Sequence, residues 1–228
     1  MELEKLSIIQ NRKNPVILDK LSHFIFFPNN KVAQVSIARI ALADRAIIRK
    51  DDENLWRQKF SEIDSKYFSR AFTFTVVRNP YDRAVSAFTY LKGIGKIDQR
   101  LNFSGFCSEV LQHQGTSFDP HFDPQSDGLF LNGKMIPEFA ARFESLEDDW
   151  CKIAIEIEAP RTLPHANKSK RRGQYADYYD DFSRELITEL YADYLRNFNY
   201  EFETKKRSFW MRWITAWREY FRGGHIVS

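Results

Sequence analysis

No glycine occurs before Gly93 in this chain of 228 residues. That absence excludes the Gly-rich turn ahead of Gly-Lys-Ser/Thr with which nucleoside triphosphatases cradle phosphate groups. Cysteine is nearly absent too. Cys107 and Cys151 are too few to staple a domain of this size or to complete a four-ligand metal site, and they point to a reducing compartment. No apolar run approaches the ~18 residues that a membrane-spanning helix needs. The opening stretch, Met1 to Pro15, is polar and lacks the apolar core of a secretion signal. The expectation is a soluble, cytoplasmic chain. Charge of one sign is missing as well: Lys plus Arg is 34 and Asp plus Glu is 31, a formal net charge of +3. Nucleic acid is therefore not an expected partner.

What is present is a core. Hydrophobic residues make up 43% and charged residues 29%, which suits one globular domain and excludes a disordered chain. The 20 Phe predict an aromatic interior or contact surface. The run His23-Phe24-Ile25-Phe26-Phe27, stopped by Pro28-Asn29-Asn30, reads as a buried strand. Val32, Val35, Ile40, Leu42, Ile47 and Ile48 then follow at helical spacing. A second strand is predicted over Phe72-Thr73-Phe74-Thr75-Val76-Val77. After it Asn79 is a preferred N-cap and Pro80 a preferred first helical residue. Tyr81, Ala84, Val85, Phe88 and Leu91 line one face of the helix they open. Two strand–loop–helix units predict an α/β fold, a parallel sheet flanked by helices with right-handed crossovers. Residues 93–137 read as loops around a short helix near Phe103 to Leu111. Ala140 to Phe143 reads as a further strand, Ser145 with Asp148 as a capping box, and Leu186 to Tyr194 as an amphipathic helix.

Loops that join a parallel strand to a helix are anion sites, because free N–H groups and the helix dipole face them. The first here, residues 28–36, carries Lys31 and Ser36. The second puts Arg78 at the strand end and Ser86 two turns into the helix. A Lys or Arg at a strand end is equally an ordinary solvated charge, but two such loops together favour an anion. Of the five His, His121 stands in a Pro-punctuated loop between Asp119 and Asp123, either of which can orient its ring as a general base. Asp119, His121 and Asp123 read as a metal site lack a further ligand. Glu144 is a second base candidate, better suited to a structural role.

The segment Arg78-Asn79-Pro80-Tyr81-Asp82-Arg83-Ala84-Val85-Ser86-Ala87-Phe88 closely resembles the 3′-phosphate-binding segment of sulfotransferases that use 3′-phosphoadenosine 5′-phosphosulfate (PAPS). The likeness is to the carbohydrate branch, with its Golgi enzymes and bacterial relatives. Residues 24–36 are similar to that family's 5′-phosphosulfate loop. Asp119-Pro120-His121-Phe122-Asp123-Pro124-Gln125 resembles its His-aromatic-x-x-Gln stretch, Ala141 to Leu146 its Arg/aromatic-Glu-x-Leu segment, and Leu163 to Ser169 its late Pro-x-x-Asn-x-Ser loop. The resemblance implies a P-loop-like sulfotransferase domain over residues 1–204. It implies transfer of a sulfuryl group to a hydroxyl of a saccharide or glycolipid, with PAPS as co-substrate and no metal. Lys31 and His121 are then the catalytic residues. Lys31, Val32, Ala33, Gln34, Val35 and Ser36 hold the 5′-phosphate, and Arg78, Ser86, Arg172 and Gly173 the 3′-phosphate. The loop departs from the family pattern at Asn30, Gln34 and Val35. Gln34, standing where a small residue is usual, bears on how closely the backbone approaches the phosphate. A weak or inactive sulfotransferase-like binding protein is the alternative reading.

Residues 205–222 alternate Phe209, Trp210, Trp213, Ile214, Trp217, Tyr220 and Phe221 with Lys205, Lys206, Arg207, Arg212, Arg218 and Arg222. They predict an amphipathic, basic and aromatic C-terminal helix over residues 205–228. Two readings stand side by side. The helix docks on the core or on a second copy in a homo-oligomer, or it lies at a lipid headgroup layer. The second makes the chain peripheral at the inner face of the membrane.

Overall fold

The computed structural model describes residues 16–19, 24–37, 68–126, 128–163 and 173–203. The expected helix from Ile40 to Ile48, the Pro164–Ser169 loop, Arg172 and the C-terminal segment 205–228 lie outside the described residues.

A four-stranded sheet in the order β1-β2-β3-β6 forms the middle. Its strands are β1 (Ile17–Asp19), β2 (Phe24–Phe27), β3 (Phe72–Val77) and β6 (Phe139–Arg142). β2 pairs with β3 in parallel, Phe24 opposite Phe72 and Phe27 opposite Thr75, and β3 with β6 in parallel, Phe74 opposite Phe139. The parallel core matches the sequence reading. β1 corrects it, adding an antiparallel edge with Ile17 opposite Phe26. Three residues carry too little pattern to mark a strand, and only pairing with β2 reveals it.

Alternation along the strands sorts the core into two layers. Ile25, Phe27 and Val77 face α1 (Pro80–Gly93) and meet Tyr81, Ala84, Val85, Phe88 and Leu91. Phe24, Phe26, Phe74, Val76 and Ala141 face the other way. There they meet Trp150, Ile153, Ala154 and Ile157 of the segment built on α3 (Leu146–Glu156). Phe26 and Phe74 stack with ring centroids 5.0 Å apart. Much of the aromatic content is thus interior: Phe24, Phe26, Phe27, Phe74, Phe103, Phe106 and Phe122 are fully buried.

Between α1 and β6, α2 (Phe103–Phe106) widens into a π-helical turn at Cys107–Leu111, and β4 (Phe130–Leu131) pairs with β5 (Lys134–Met135) as a hairpin. Asn132 and Gly133, both at positive φ, make its two-residue turn. The helix expected from Leu186 to Tyr194 breaks at Tyr191 into α4 (Asp181–Leu190) and α5 (Ala192–Phe198). The capping box at Ser145 and Asp148 does not form. Asp149 takes the local donors instead, accepting from the Arg142 N–H at 2.9 Å and the Ser145 hydroxyl at 3.3 Å, because a 3-10 turn at Phe143–Ser145 precedes α3.

Candidate active site

The loop after β2 is fastened before it turns. Buried Asn29 donates its amide to Thr75 Oγ1 at 3.2 Å and to the Val76 carbonyl at 3.1 Å, and Thr75 Oγ1 donates back to the Phe27 carbonyl at 2.8 Å. The chain then takes left-handed backbone at Lys31 (φ 66°) and Ala33 (φ 59°), which costs a residue with a Cβ roughly 1 kcal/mol or more. The tight positions are therefore Lys31 and Ala33 rather than Gln34. Gln34 opens a helical turn over residues 34–37, closed by the Ile37 N–H on the Ala33 carbonyl at 3.1 Å. Among the described residues, nothing accepts from the N–H groups of Val32, Ala33, Gln34 and Val35. Successive N–H groups around left-handed residues at a helix start form an anion-binding concavity. Val35 is exposed there and Ser36 buried.

The second loop locks onto the first. Asn79 caps α1, its side chain accepting from the Tyr81 N–H at 3.0 Å, with Pro80 as first helical residue. Arg78 is buried. Its Nη1 donates to the Lys31 carbonyl at 2.8 Å, its Nε to Asp82 Oδ2 at 2.8 Å, and its guanidinium lies 4.2 Å from the Phe143 ring centroid. Ser86 lies one helical repeat beyond Asp82, buried in the same α1. The Arg78 N–H is held by Gln125 Oε1 and by the hydroxyl of Tyr194, each at 3.1 Å.

The third loop brings His121. Asp119 caps the short turn Pro120–Phe122 by accepting from the His121 N–H at 2.9 Å, and its Oδ1 also meets His121 Nδ1 at 2.6 Å. Lys96 Nζ takes the other oxygen, Oδ2, at 2.5 Å. Burial works against the Asp119 charge. The bonds from Lys96 and from the backbone and ring of His121 outweigh it and hold the carboxyl below the usual range. A charged carboxylate can only accept, so Nδ1 of His121 donates in this contact, and in the neutral ring that leaves the lone pair on Nε2. Asp119, not Asp123, orients the ring.

Hydrogen bonds at Asn30 and a shared ring bring this loop to Lys31; the Asn30 carbonyl accepts from Gln125 Nε2 at 3.5 Å. The Asn30 amide donates to the Pro120 carbonyl at 2.8 Å. Tyr90 touches both side chains: Lys31 Nζ stands 4.3 Å from its ring centroid, and the His121 ring centroid lies 5.1 Å away. Burial, and after it the charge of Arg78, push the Lys31 ammonium below the ordinary lysine range. Arg83, 2% exposed, donates through Nη1 to the His121 carbonyl at 2.9 Å and lies over the Tyr191 ring. Its buried Nε has no hydrogen-bond partner among the described residues.

Glu144 is structural. One oxygen accepts from the Asn79 N–H at 2.7 Å and the other from the Tyr200 hydroxyl at 2.9 Å. Gly173, at φ 78°, precedes the turn Tyr175–Tyr178, which packs on α1; a Cβ there meets Asp177 Oδ2 at 2.9 Å. The structure thus groups Lys31, residues 32–36, Arg78 and His121 at the ends of β2 and β3. Asn30, Tyr90, Lys96 and Arg83 were not singled out as site residues from the sequence. Tyr90 was within reach, since it lies four residues after Ser86 on the same helix.

The model of the sulfotransferase family matches residues 16–201. An uncharacterized protein of Archaeoglobus fulgidus is 28% identical over 103 residues, which is 45% of this chain and 81% of that protein. No solved structure matches. The family match spans all the described strands, all three site loops and α1, and the chain belongs to the sulfotransferase family.

Proposed function

We propose that the chain transfers a sulfuryl group from PAPS to a hydroxyl of a saccharide or glycolipid. The observation that carries this reading is the meeting of Lys31 and an Asp119-oriented His121 around Tyr90, beside a loop with unused N–H donors.

In this reading the N–H groups of Val32 to Val35, with the Ser36 hydroxyl, hold the 5′-phosphate of the donor. Arg78 and Ser86 hold the 3′-phosphate, with Arg172 and Gly173 closing over it. The acceptor oxygen attacks sulfur as the bond from sulfur to the bridging oxygen breaks. His121 Nε2 takes the acceptor proton, and 3′-phosphoadenosine 5′-phosphate (PAP) departs with its new charge facing Lys31. By analogy with phosphoryl transfer, the transition state is loose, so positioning and fixed positive charge supply most of the acceleration. Arg78 serves twice, since the guanidinium assigned to the 3′-phosphate also fastens the Lys31 backbone. No described helix is long and apolar enough to cross a membrane. Residues 205–222 give this reading a peripheral contact at the inner face, which suits a lipid-linked acceptor.

The test is sulfuryl transfer from labelled PAPS to a panel of saccharides and glycolipids, with His121→Ala beside the natural protein. Transfer by the natural protein that falls ~10²–10⁴-fold in the variant, the range for a positioned base, supports the reading. Transfer unaffected by the substitution removes His121 from it.

A further inference from the structure

Asp82, Ser86 and Tyr90 follow one another at intervals of four along α1, and Arg78 stands four residues before Asp82, ahead of the Asn79 cap. Within the helix each step of four turns about 40°, and Arg78 joins the row to the Lys31 carbonyl by bonding both that oxygen and Asp82. Tyr90 is 45% exposed, unusual for a large aromatic residue on a helix whose other aromatic side chains, Tyr81 and Phe88, are core. Its hydroxyl bonds to no described residue. What the ring does touch are the two groups assigned to chemistry: the Lys31 ammonium at 4.3 Å from its centroid and the His121 ring at 5.1 Å, tilted by 44°. Lys31 Nζ makes no hydrogen bond to any described residue, so the ring face is what restrains a long and flexible side chain.

We propose that Tyr90 is a positioning residue whose ring face sets the separation of Lys31 and His121, so that leaving oxygen and attacking oxygen meet charge and base in one geometry. The proposal rests on the sulfuryl-transfer reading. It needs the ring and not the hydroxyl, which separates it from proton-transfer roles for Tyr90. It also differs from a platform on which an acceptor sugar stacks, because a platform acts on acceptor binding.

Tyr90→Leu keeps an apolar side chain and removes the ring, while Tyr90→Phe keeps the ring. Measured with PAPS, taking as the readout the PAP released when the sulfuryl group passes to acceptor or to water, Tyr90→Leu is expected to lower kcat about tenfold or more. PAP affinity by calorimetry and the melting temperature should stay at natural values, since the residue is half exposed. Tyr90→Phe should restore kcat. Natural kcat in Tyr90→Leu, a loss confined to the KM of the acceptor, or a loss that Phe does not restore overturns the proposal. A second readout needs no turnover. The ε-methylene protons of Lys31 should carry an upfield ring-current shift in the proton NMR spectrum, lost in Tyr90→Leu and kept in Tyr90→Phe. If the natural protein neither binds PAP nor consumes PAPS, the sulfuryl reading fails, and the ring-current shift still reports whether Tyr90 holds Lys31. An unshifted Lys31 in the natural protein overturns the placement itself.

Discussion

Arg78 Nη1 donates to the carbonyl oxygen of Lys31 at 2.8 Å, so the strand end of β3 holds the left-handed turn at the end of β2. The residue assigned to one phosphate of the donor thereby supports the backbone of the residue assigned to the other. That contact makes the two loops a single unit, and mutation of either end should be felt at both.

Arg78→Ala should weaken PAP by ~1.5–3 kcal/mol, the range for hydrogen bonds to charged groups. It should weaken AMP less, because AMP has no 3′-phosphate. Calorimetry with both nucleotides decides. Equal losses mean that Arg78 acts only through the Lys31 backbone.

Lys31→Ala should lower turnover by at least ~100-fold, on the scale of losing one transition-state electrostatic contact, with little change in PAP affinity. Burial and Arg78 lower the proton affinity of Lys31, so its charge is lost at a lower pH than an ordinary lysine's. Turnover should therefore fall earlier on the alkaline side than an unperturbed lysine allows. Lys31→Arg keeps its charge throughout, and whatever activity it retains should lack that limb. Rates from pH 7 to 11 check both points.

Asn30→Ala removes the amide that ties the Lys31 loop to the Pro120 carbonyl. Asn30 is only partly buried, so melting should change little, while kcat should fall about tenfold through a looser Lys31–His121 arrangement. A normal kcat in this variant leaves Tyr90 as the working link between the two loops.

The parts legible in the sequence are local. Phe72 to Val77 reads as a strand from its own residue types, and Asn79-Pro80 marks the start of α1 because capping is a matter of neighbouring atoms. His121 could be singled out from its flanking carboxylates. That Asp119 and not Asp123 holds it depends on where Lys96, 23 residues earlier, delivers its charge. The meeting of Lys31 with His121 depends on Asn30, whose partner is 90 residues away, and on a ring carried by a third segment. No window of sequence contains those contacts. β1 is three residues long, too short to carry a pattern, and the left-handed backbone at Lys31 and Ala33 has no signature in residue type.

Acid should unfold the protein through two buried carboxylates. For Asp119 and Asp149, burial favours the neutral acid, but bonds from Lys96 and His121 in one case, and from Arg142 and Lys152 in the other, hold both below the ordinary aspartate range. A carboxyl depressed in the folded state contributes stability that is full above its unfolded value and is lost as pH falls through its folded value. The urea midpoint should therefore drop below about pH 4. Asp149→Asn should flatten that drop, and an unchanged slope assigns the acid sensitivity elsewhere.

Titration of PAP into the purified protein by calorimetry in EDTA, with ADP as control, tests the central claim most directly. Micromolar binding of PAP with much weaker binding of ADP is the predicted result, because only PAP offers a 3′-phosphate to Arg78 and Ser86. Absence of PAP binding, or equal binding of ADP, contradicts the account and turns the Lys31 loop into a sulfotransferase-like scaffold without a donor.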